Sequence, residues 1–289
     1  MKQLPEHQKG IIAIAIAAIL WSTGGIFIKL TSLTPMQISF FRCAFGALIF
    51  LVVFKKELLK ANFFTFINAG FYAAVLILYV IATKTTTAAN AVFLQYTAPI
   101  YVLIFEPIIN KTKYEKINII TIIICVLGMT LFFTGKLSSG SFYGNISALL
   151  SGVAFAAFLL GMRKNKKKHQ FVSIFYGNIL VVLITLYSIF QIDSLSFSNF
   201  IMVSYLGIFQ IGIAYIIFAY GLKRVLAVEA SLISMVEPVL NPVWVLIGYG
   251  EIPSVTAIFG GVIILLTVSI RAVVQQSAVM KARLKDYIQ

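Results

Sequence analysis

The chain has 289 residues, of which 60% are hydrophobic and 11% are charged, and its mean hydropathy is +0.98. A soluble protein of this length needs more polar side chains to cover its surface, so the composition excludes the soluble globular class. The formal net charge of +14 would suit nucleic-acid binding, but the basic residues lie in short links between long apolar segments, as in membrane proteins.

The apolar residues form ten segments of about twenty residues, each long enough to cross roughly 30 Å of hydrocarbon as a helix. A membrane β-barrel would instead show alternating segments of roughly ten residues. The predicted spans 1 to 10 cover residues 10–30, 35–54, 62–82, 88–109, 117–135, 142–162, 170–190, 199–221, 227–248 and 254–273. The sequence therefore predicts an all-α integral membrane protein with ten transmembrane helices.

The distribution of basic residues predicts the topology. If the N-terminus is cytoplasmic, the inside segments carry 19 of the 23 basic residues, including the run at 163–168. Only three lie at outside ends, and Arg42 lies within a span. This positive-inside pattern predicts an inner (plasma) membrane protein with both termini in the cytoplasm. The basic run is expected to contact anionic lipid headgroups rather than nucleic acid.

The chain contains an internal repeat. Residues 82–101 align with 221–240 at a constant offset of 139, which places Lys84 over Lys223 and Pro99 over Pro238. A weaker match sets 20–29 over 154–163. Spans 1 to 5 are therefore predicted to recur as spans 6 to 10, in repeats 1–136 and 137–289. Because five is an odd number, the second repeat crosses the membrane in the opposite sense.

Inverted repeats have a physical use in transport. Two similar halves can exchange conformations, which gives outward-open and inward-open states of similar energy around a site near the midplane. The pattern favours a secondary transporter that works by alternating access. Two other classes stay open: a channel or structural bundle without transport, and a membrane-embedded transferase.

Several segments resemble a known family. The motifs AILWSTGGIFIKL (18–30), AANAVFLQYTAPIYVL (88–103) and LKRVLAVEASLISMVEPVLNPVWVLIGYGE (222–251) resemble the EamA-like members of the drug/metabolite transporter superfamily. The first repeat departs from the pattern with NKTK at 110–113, where many members carry Gly-Glu. The resemblance implies ten helices, cytoplasmic termini and a central cavity lined mainly by helices 1, 3, 4, 6, 8 and 9. It also implies export of a small metabolite such as an amino acid.

Polar residues inside the spans are the candidate substrate-binding residues, because an ionisable group at the bilayer centre costs roughly 2.5–3.5 kcal/mol. Glu237 lies in the middle of span 9 and is expected to bind a proton or the amine of the solute. Ser231, Ser234 and Asn241 share its face of the helix at steps of three and four residues. The alternative is a hydrogen-bonded seam between helices. The other candidates are polar or aromatic residues of spans 1, 3, 4 and 8: Trp21, Tyr79, Asn90, Gln95, Gln210 and Tyr215.

Pro99 and Pro238 are predicted hinges. A proline within a helix frees the carbonyl four residues earlier, here those of Gln95 and Ser234. Such carbonyls suit solute or cation binding, and the weakened helix suits bending; the alternative is a static kink. Arg42 has no helical partner one turn away, so it either snorkels to the interface or bridges the halves.

We expect no cofactor, no metal and no enzymatic activity. His7 and His169 lie in or beside loops, and Cys43 and Cys125 are isolated thiols within spans, so neither pair has metal-ligand spacing. The expected partners are a small-molecule substrate, membrane lipid and protons as the coupling ion, without nucleic acid. The sequence leaves a homodimer open.

Overall fold

The computed structural model describes residues 5–111, 115–134, 139–164, 170–225, 230 and 233–288. Every regular element in these ranges is helical, and nine helices there are long and apolar enough to cross a membrane. They are Glu6–Leu30, Pro35–Leu59, Phe63–Thr85, Ala88–Ile109, Lys116–Phe133, Ser141–Met162, Phe171–Gln191, Phe197–Leu222 and Val255–Val274. These nine correspond to predicted spans 1 to 8 and span 10. The all-α membrane class is confirmed.

Span 9 is represented by the helix Val236–Tyr249, because several residues of its first half lie outside the described part of the chain. Ser231 is one of them, and so are His169 and most of the basic run at 163–168. The predicted span numbers are kept for all ten segments.

The perimeter of the bundle is apolar. Large side chains such as Leu51, Phe63, Ile123, Leu183 and Leu266 are each at least 49% exposed. A soluble protein would not leave so much apolar surface in water, but lipid tails cover it without cost. The chain is therefore a multi-pass membrane protein.

Local sequence determines where spans 2 and 3 begin. Thr34 caps the helix Pro35–Phe54: its hydroxyl accepts from the Gln37 amide at 3.4 Å, while Gln37 accepts from the Thr34 amide at 3.0 Å. Asn62 caps the helix Phe63–Thr85 in the same reciprocal way with Thr65. These capping boxes bond amide groups that have no partner within the first helical turn.

The two halves of the chain contact each other in a reciprocal pattern. Span 3 packs against span 6, and span 8 packs against span 1. Span 2 contacts span 8 as span 7 contacts span 3, and span 4 contacts span 6 as span 9 contacts span 1. Spans 2 and 7, 4 and 9, and 5 and 10 each contact their own counterpart. If each span is replaced by its counterpart in the other half, this set of contacts stays the same.

Four spans depart from the α-helix in their interior, within the described residues. Span 1 is interrupted at Thr23, and span 4 at Tyr96 and Thr97. Span 9 has a turn at Met235, which is the position equivalent to Tyr96 at the offset of 139. Span 8 contains a π-helical segment, Leu206–Ile213. Such irregular segments in membrane helices commonly line a cavity or a functional site.

Candidate functional site

The interruptions in spans 4 and 9 meet at an acidic side chain. The Tyr96 hydroxyl donates to Glu237 Oε2 at 2.7 Å and also lies 3.2 Å from the Ser234 carbonyl oxygen. Pro238 has no N–H with which to bond that carbonyl. Tyr96 and Glu237 both remain partly exposed inside the bundle. A carboxylate is therefore held, with access, where two broken helices face each other.

Asn241 lies one turn beyond Glu237 and extends the site towards span 3. Its Nδ2 donates to the Tyr79 hydroxyl at 3.2 Å, and the asparagine is completely buried. Its Oδ1 has no hydrogen-bond partner among the described residues. A Cβ added at Gly25 would lie 2.3 Å from that oxygen, so only glycine lets the amide approach the backbone of span 1.

A second group of polar residues lies beside the interruption in span 1. Gln210 Nε2, from the π-helical segment of span 8, donates to the Trp21 carbonyl oxygen at 3.2 Å. The Trp21 ring meets the Tyr215 ring edge-on, with centroids 5.1 Å apart. Trp21 Nε1 and Gln210 Oε1 lack hydrogen-bond partners in the part of the chain that the structure describes. Both atoms are buried, so this conformation leaves a polar group of each side chain unsatisfied.

Arg42 is buried in the same region. It is only 5% exposed, and its helix packs against spans 3, 7 and 8, so the side chain does not snorkel to the interface. Its positive charge interacts electrostatically with the side chains of Tyr79, Tyr215 and Glu237. We call the set around Glu237 the central cluster: Arg42, Tyr79, Tyr96, Tyr215, Glu237 and Asn241.

Two candidate residues of span 4 bond elsewhere. Asn90 Nδ2 donates to Asn145 Oδ1 at 3.0 Å, and Gln95 Nε2 donates to the Ser151 hydroxyl at 2.7 Å. Both bonds join span 4 to span 6, and neither involves the central cluster. In this conformation Asn90 and Gln95 hold helices together.

Sequence reasoning missed Tyr96. Its hydroxyl reaches both Glu237 and the Ser234 carbonyl, but a single tyrosine in an apolar helix carries no charge that would mark it in the sequence. The available signals were its position three residues before Pro99 and its equivalence to Met235 in the repeat.

An ion pair joins helices at one end of the bundle. Lys29 Nζ lies 2.6 Å from Glu251 Oε2, and the two side chains are only 10% and 16% exposed. Lys29 also donates to the Thr86 carbonyl at 2.7 Å, and the Ala88 amide donates to Glu251 Oε1 at 2.6 Å. We call these four residues the latch. It joins the ends of spans 1 and 9 to the link between spans 3 and 4.

Gly250 positions the acid of the latch. It ends span 9 with a φ of +77°, a left-handed conformation that glycine adopts without strain. The Gly-Glu pair that carries part of the family resemblance therefore turns the chain so that Glu251 meets Lys29.

An apolar groove of about 410 Å³ lies away from the central cluster, on the lipid-facing side of spans 1 and 8. Its lining residues are Lys9, Ile12, Ala13, Ile16, Ile216, Ile217 and Tyr220. A groove of this composition suits a lipid acyl chain better than a polar solute.

The described residues contain no group of three or more His, Cys, Asp or Glu side chains that could hold a metal ion. Cys43 and Cys125 are buried and unbonded to each other, as single thiols packed in the bundle. The chemistry of the site is thus that of a carboxylate, a guanidinium, phenols and amides.

Comparison with known proteins agrees with this architecture. An "Uncharacterized transporter" of Archaeoglobus fulgidus is 24% identical over 266 residues, which cover 90% of this chain and 95% of the relative. A second "Uncharacterized transporter", from Clostridium kluyveri, is 26% identical over 284 residues, with 90% and 91% covered. Mouse solute carrier family 35 member G1 is 26% identical over 199 residues, 62% of this chain and 54% of that protein.

A protein of known crystal structure shares the fold, with a TM-score of 0.64 at 16% identity over 93% of this chain and 98% of that one. The profile of the EamA-like transporter family matches residues 8–134 and 142–271, which together make up most of the chain. The relatives are named as transporters and not as enzymes, so the chain is a membrane transporter. On this match the chain belongs to the EamA-like transporter family, within the drug/metabolite transporter superfamily.

Proposed function

We propose that the chain is a secondary transporter that moves a small organic metabolite by alternating access, with the central cluster as its binding site. The observation that carries the proposal is the 2.7 Å bond from Tyr96 to Glu237. Tyr96 lies at the interruption of span 4, and Glu237 lies two residues beyond the equivalent interruption of span 9. A site shared by two equivalent broken helices is the arrangement from which inverted-repeat transporters bind their solutes.

The moving parts are two inverted five-helix repeats, residues 1–136 and 137–289, with Pro99 and Pro238 as hinges. The reciprocal contacts between spans support this division, because a pseudo-two-fold relation gives contacts in one half counterparts in the other. The helix interruptions beside both prolines support the hinges. Halves related in this way can exchange conformations at little cost in free energy.

The lining of the site favours a partly apolar organic solute such as an amino acid or a similar metabolite. Tyr79, Tyr215 and Trp21 offer aromatic surface, while Asn241 and Gln210 offer amide groups with free oxygens. Pockets for organic ligands commonly combine aromatic walls with a few such polar groups. We propose export across the inner (plasma) membrane, with both termini cytoplasmic. In that orientation the latch lies on the outer side and closes it.

The coupling ion that we propose is a proton on Glu237. The single proton of the Tyr96 hydroxyl can bond either the Glu237 carboxylate or the Ser234 carbonyl, but not both at once. When Glu237 is protonated it no longer needs this donor, so Tyr96 can turn to the carbonyl at the interruption of span 9. Protonation would thereby change the bonding at a hinge.

The charged and titratable groups around Glu237 come from four other spans. Its side chain interacts electrostatically with Arg42 of span 2, Tyr79 of span 3, Tyr96 of span 4 and Tyr215 of span 8. The tyrosines are neutral near pH 7, which leaves Arg42 as the cation of the cluster. Any pH dependence of transport is therefore expected to follow Glu237.

Reconstituted vesicles test this function. A thermal-shift screen of the purified chain against amino acids, nucleosides and amines selects a solute, and its flux is then measured. We expect saturation, counterflow and a pH dependence that Glu237→Gln abolishes, with flux at least about tenfold lower, because hydrogen bonds to charged groups contribute about 1.5–3 kcal/mol. Glu57→Gln, at an exposed position in Lys55–Leu59, is the matched control and should behave as wild type.

The proposal fails if Glu237→Gln keeps both the rate and the pH dependence of wild type. Flux that does not saturate and shows no counterflow would instead indicate a channel.

Thiol labelling tests the inverted repeats separately. Single cysteines at the exposed positions Thr85 and Lys223, in a Cys43→Ala/Cys125→Ala background, report the side of two equivalent links. We expect membrane-impermeant reagents to label Thr85→Cys only from outside the cell and Lys223→Cys only from the cytoplasm. Labelling of both from one side contradicts the inverted arrangement.

A further inference from the structure

Arg42 is a buried cation without a counter-ion in contact. Its side chain is 5% exposed, and neither Nε nor Nη1 has a hydrogen-bond partner among the described residues. The ion pairs recorded within those residues are Lys9–Glu6, Lys29–Glu251 and Arg224–Glu6, and none involves Arg42. An arginine in this position is costly, since even insertion scales assign roughly 2.5–3.5 kcal/mol to a cation at the helix centre.

No hydrogen bond to Nε or Nη1 and no contact ion pair within the described residues offsets this cost. Tyr79 and Tyr215, on which its charge acts, are neutral phenols. Glu237 is within electrostatic range, but the hydrogen bond recorded for its carboxylate comes from Tyr96. The guanidinium therefore has unused donors inside the site. A guanidinium presents these donors in a planar fork that matches the two oxygens of a carboxylate.

We propose that Arg42 is the anion-binding residue of the site and that the transported solute carries a carboxylate group. This inference rests on the proposed function, because it assigns a substrate class to the same central cluster. Arg42 binds the carboxylate through two parallel N–H···O bonds. In this proposal the aromatic rings of Tyr79 and Tyr215 contact the apolar part of the solute.

The charges of the cluster favour a carboxylate over a phosphate ester. Arg42 and an ionised Glu237 together are neutral in the empty site. A phosphate monoester brings close to two negative charges near pH 7, which Glu237 would repel. A carboxylate keeps the loaded site neutral in two ways: the solute carries an ammonium group that faces Glu237, or Glu237 takes up one proton. Both cases share the contact between Arg42 and the carboxylate.

Matched sets of compounds separate the contribution of the carboxylate group to binding from that of the ammonium group. We would measure the thermal stability of the purified full chain with phenylalanine, phenylalanine methyl ester, phenylethylamine and 3-phenylpropionate, and with the corresponding leucine set. Stabilisation by the compounds with a free carboxylate, and not by the ester or the amine, is expected. Stabilisation by the amino acid alone indicates the zwitterion, whereas stabilisation by 3-phenylpropionate that increases at low pH indicates a carboxylate with a proton.

Variants of Arg42 provide a readout that a merely structural arginine would not give. In Arg42→Gln the carboxylate-dependent stabilisation is lost, corresponding to at least about tenfold weaker binding, while the Tm of the empty protein is unchanged or higher because an unpaired buried charge is gone. Arg42→Lys keeps a reduced response. Arg224→Gln, which removes a cation paired with Glu6, is the control and keeps the full response.

Three results of the stability measurements overturn the inference. They are the absence of stabilisation by any carboxylate, a full carboxylate response in Arg42→Gln, and a fall in the Tm of empty Arg42→Gln, which would make Arg42 structural. Saturable flux and counterflow of a solute without a carboxylate would refute this inference and leave alternating access standing. A carboxylate that stabilises the protein but shows no counterflow would refute the proposed function instead.

Discussion

The hydroxyl of Tyr96 faces two acceptors with one proton. It lies 2.7 Å from Glu237 Oε2 and 3.2 Å from the Ser234 carbonyl oxygen, which Pro238 leaves without an amide partner. Removing the hydroxyl leaves both acceptors without this donor inside the bundle. The residue thus connects the charge of the site with the interruption of span 9.

Tyr96→Phe removes the hydroxyl and keeps the ring. We expect the affinity for the solute, or its flux, to fall at least about tenfold, because a hydrogen bond to a charged group contributes about 1.5–3 kcal/mol. The pH dependence of flux should also change, since Glu237 loses a donor that favours its ionised form. Flux in vesicles over a range of pH measures both effects.

Tyr143→Phe is the matched control, because Tyr143 lies in span 6 with 68% of its surface exposed. It should retain the flux and pH profile of wild type. A Tyr96→Phe protein that cannot be distinguished from this control would show that the hydroxyl has no part in binding or coupling.

Helical periodicity predicts only some of the residues that form the central cluster. It places Glu237 and Asn241 on one face of span 9, and the structure brings both into the central cluster. It also selects Asn90, which the structure bonds to Asn145 instead. The pattern of one helix indicates which residues share a face, but the neighbouring helix opposite that face depends on packing between distant segments.

Among the elements, prolines mark some interruptions in advance but not others. Pro99 and Pro238 indicate weak points in spans 4 and 9, where the structure has non-helical turns. The interruption at Thr23 and the π-helical segment Leu206–Ile213 have no proline. They accompany close contacts between helices, such as the bond between the Thr23 and Tyr205 hydroxyls at 3.2 Å. Contacts of this kind cannot be deduced from the sequence of either helix alone.

Two glycines allow the side-chain amides of Gln210 and Asn241 to reach the backbone of span 1. A Cβ at Gly24 would lie 2.0 Å from Gln210 Nε2, and one at Gly25 would lie 2.3 Å from Asn241 Oδ1. Real Cβ contacts are not this short, so an added methyl group would displace these amides. The interruption of span 1 and the two amides therefore form one unit.

Gly25→Ala should separate span 1 from span 9. We expect a loss of about 1–3 kcal/mol of stability, typical of overpacking, together with reduced flux because Asn241 is displaced. Gly70→Ala is the control: it lies within a helix, and a Cβ there meets no heavy atom within 4 Å. That substitution should be neutral or slightly stabilising. Equal Tm and flux for the two variants would contradict the role given to Gly25.

At the scale of the whole molecule, the long apolar segments made the membrane class and the approximate spans predictable, because roughly 30 Å of hydrocarbon imposes a minimum helix length. The repeat at an offset of 139 was visible because Lys84, Pro99 and their counterparts align without a gap. The ion pair that joins the ends of spans 1 and 9 was not visible. That depends on Lys29 meeting Glu251, residues 222 positions apart in the chain.

The two ends of the bundle are held by pairs of different strength. In the latch, Lys29 and Glu251 are 10% and 16% exposed and also bond backbone groups. At the other end, Arg224 pairs with Glu6, whose side chain is 64% exposed. An exposed pair contributes little to stability because water screens it, whereas breaking a buried pair is strongly destabilising. This difference favours the state in which the latch end is closed.

Glu251→Gln should open that end. The substitution leaves Lys29 partly buried without its counter-ion, which raises the free energy of the closed state relative to the open one. The measurement is the labelling rate of Ser234→Cys, in a background without other cysteines, by an impermeant reagent added from the latch side. We expect the rate to rise at least about fivefold, the lower end of typical coupling between sites and global states.

Glu6→Gln is the matched control, and it should leave the labelling rate of Ser234→Cys unchanged because its pair is exposed. The exchanged pair Lys29→Glu/Glu251→Lys should restore slow labelling if the attraction between the side chains closes this end. A rate that does not respond to Glu251→Gln would show that the apolar contacts between spans 1, 4 and 9 hold the end shut without the ion pair. The latch would then be a consequence of closure and not its cause.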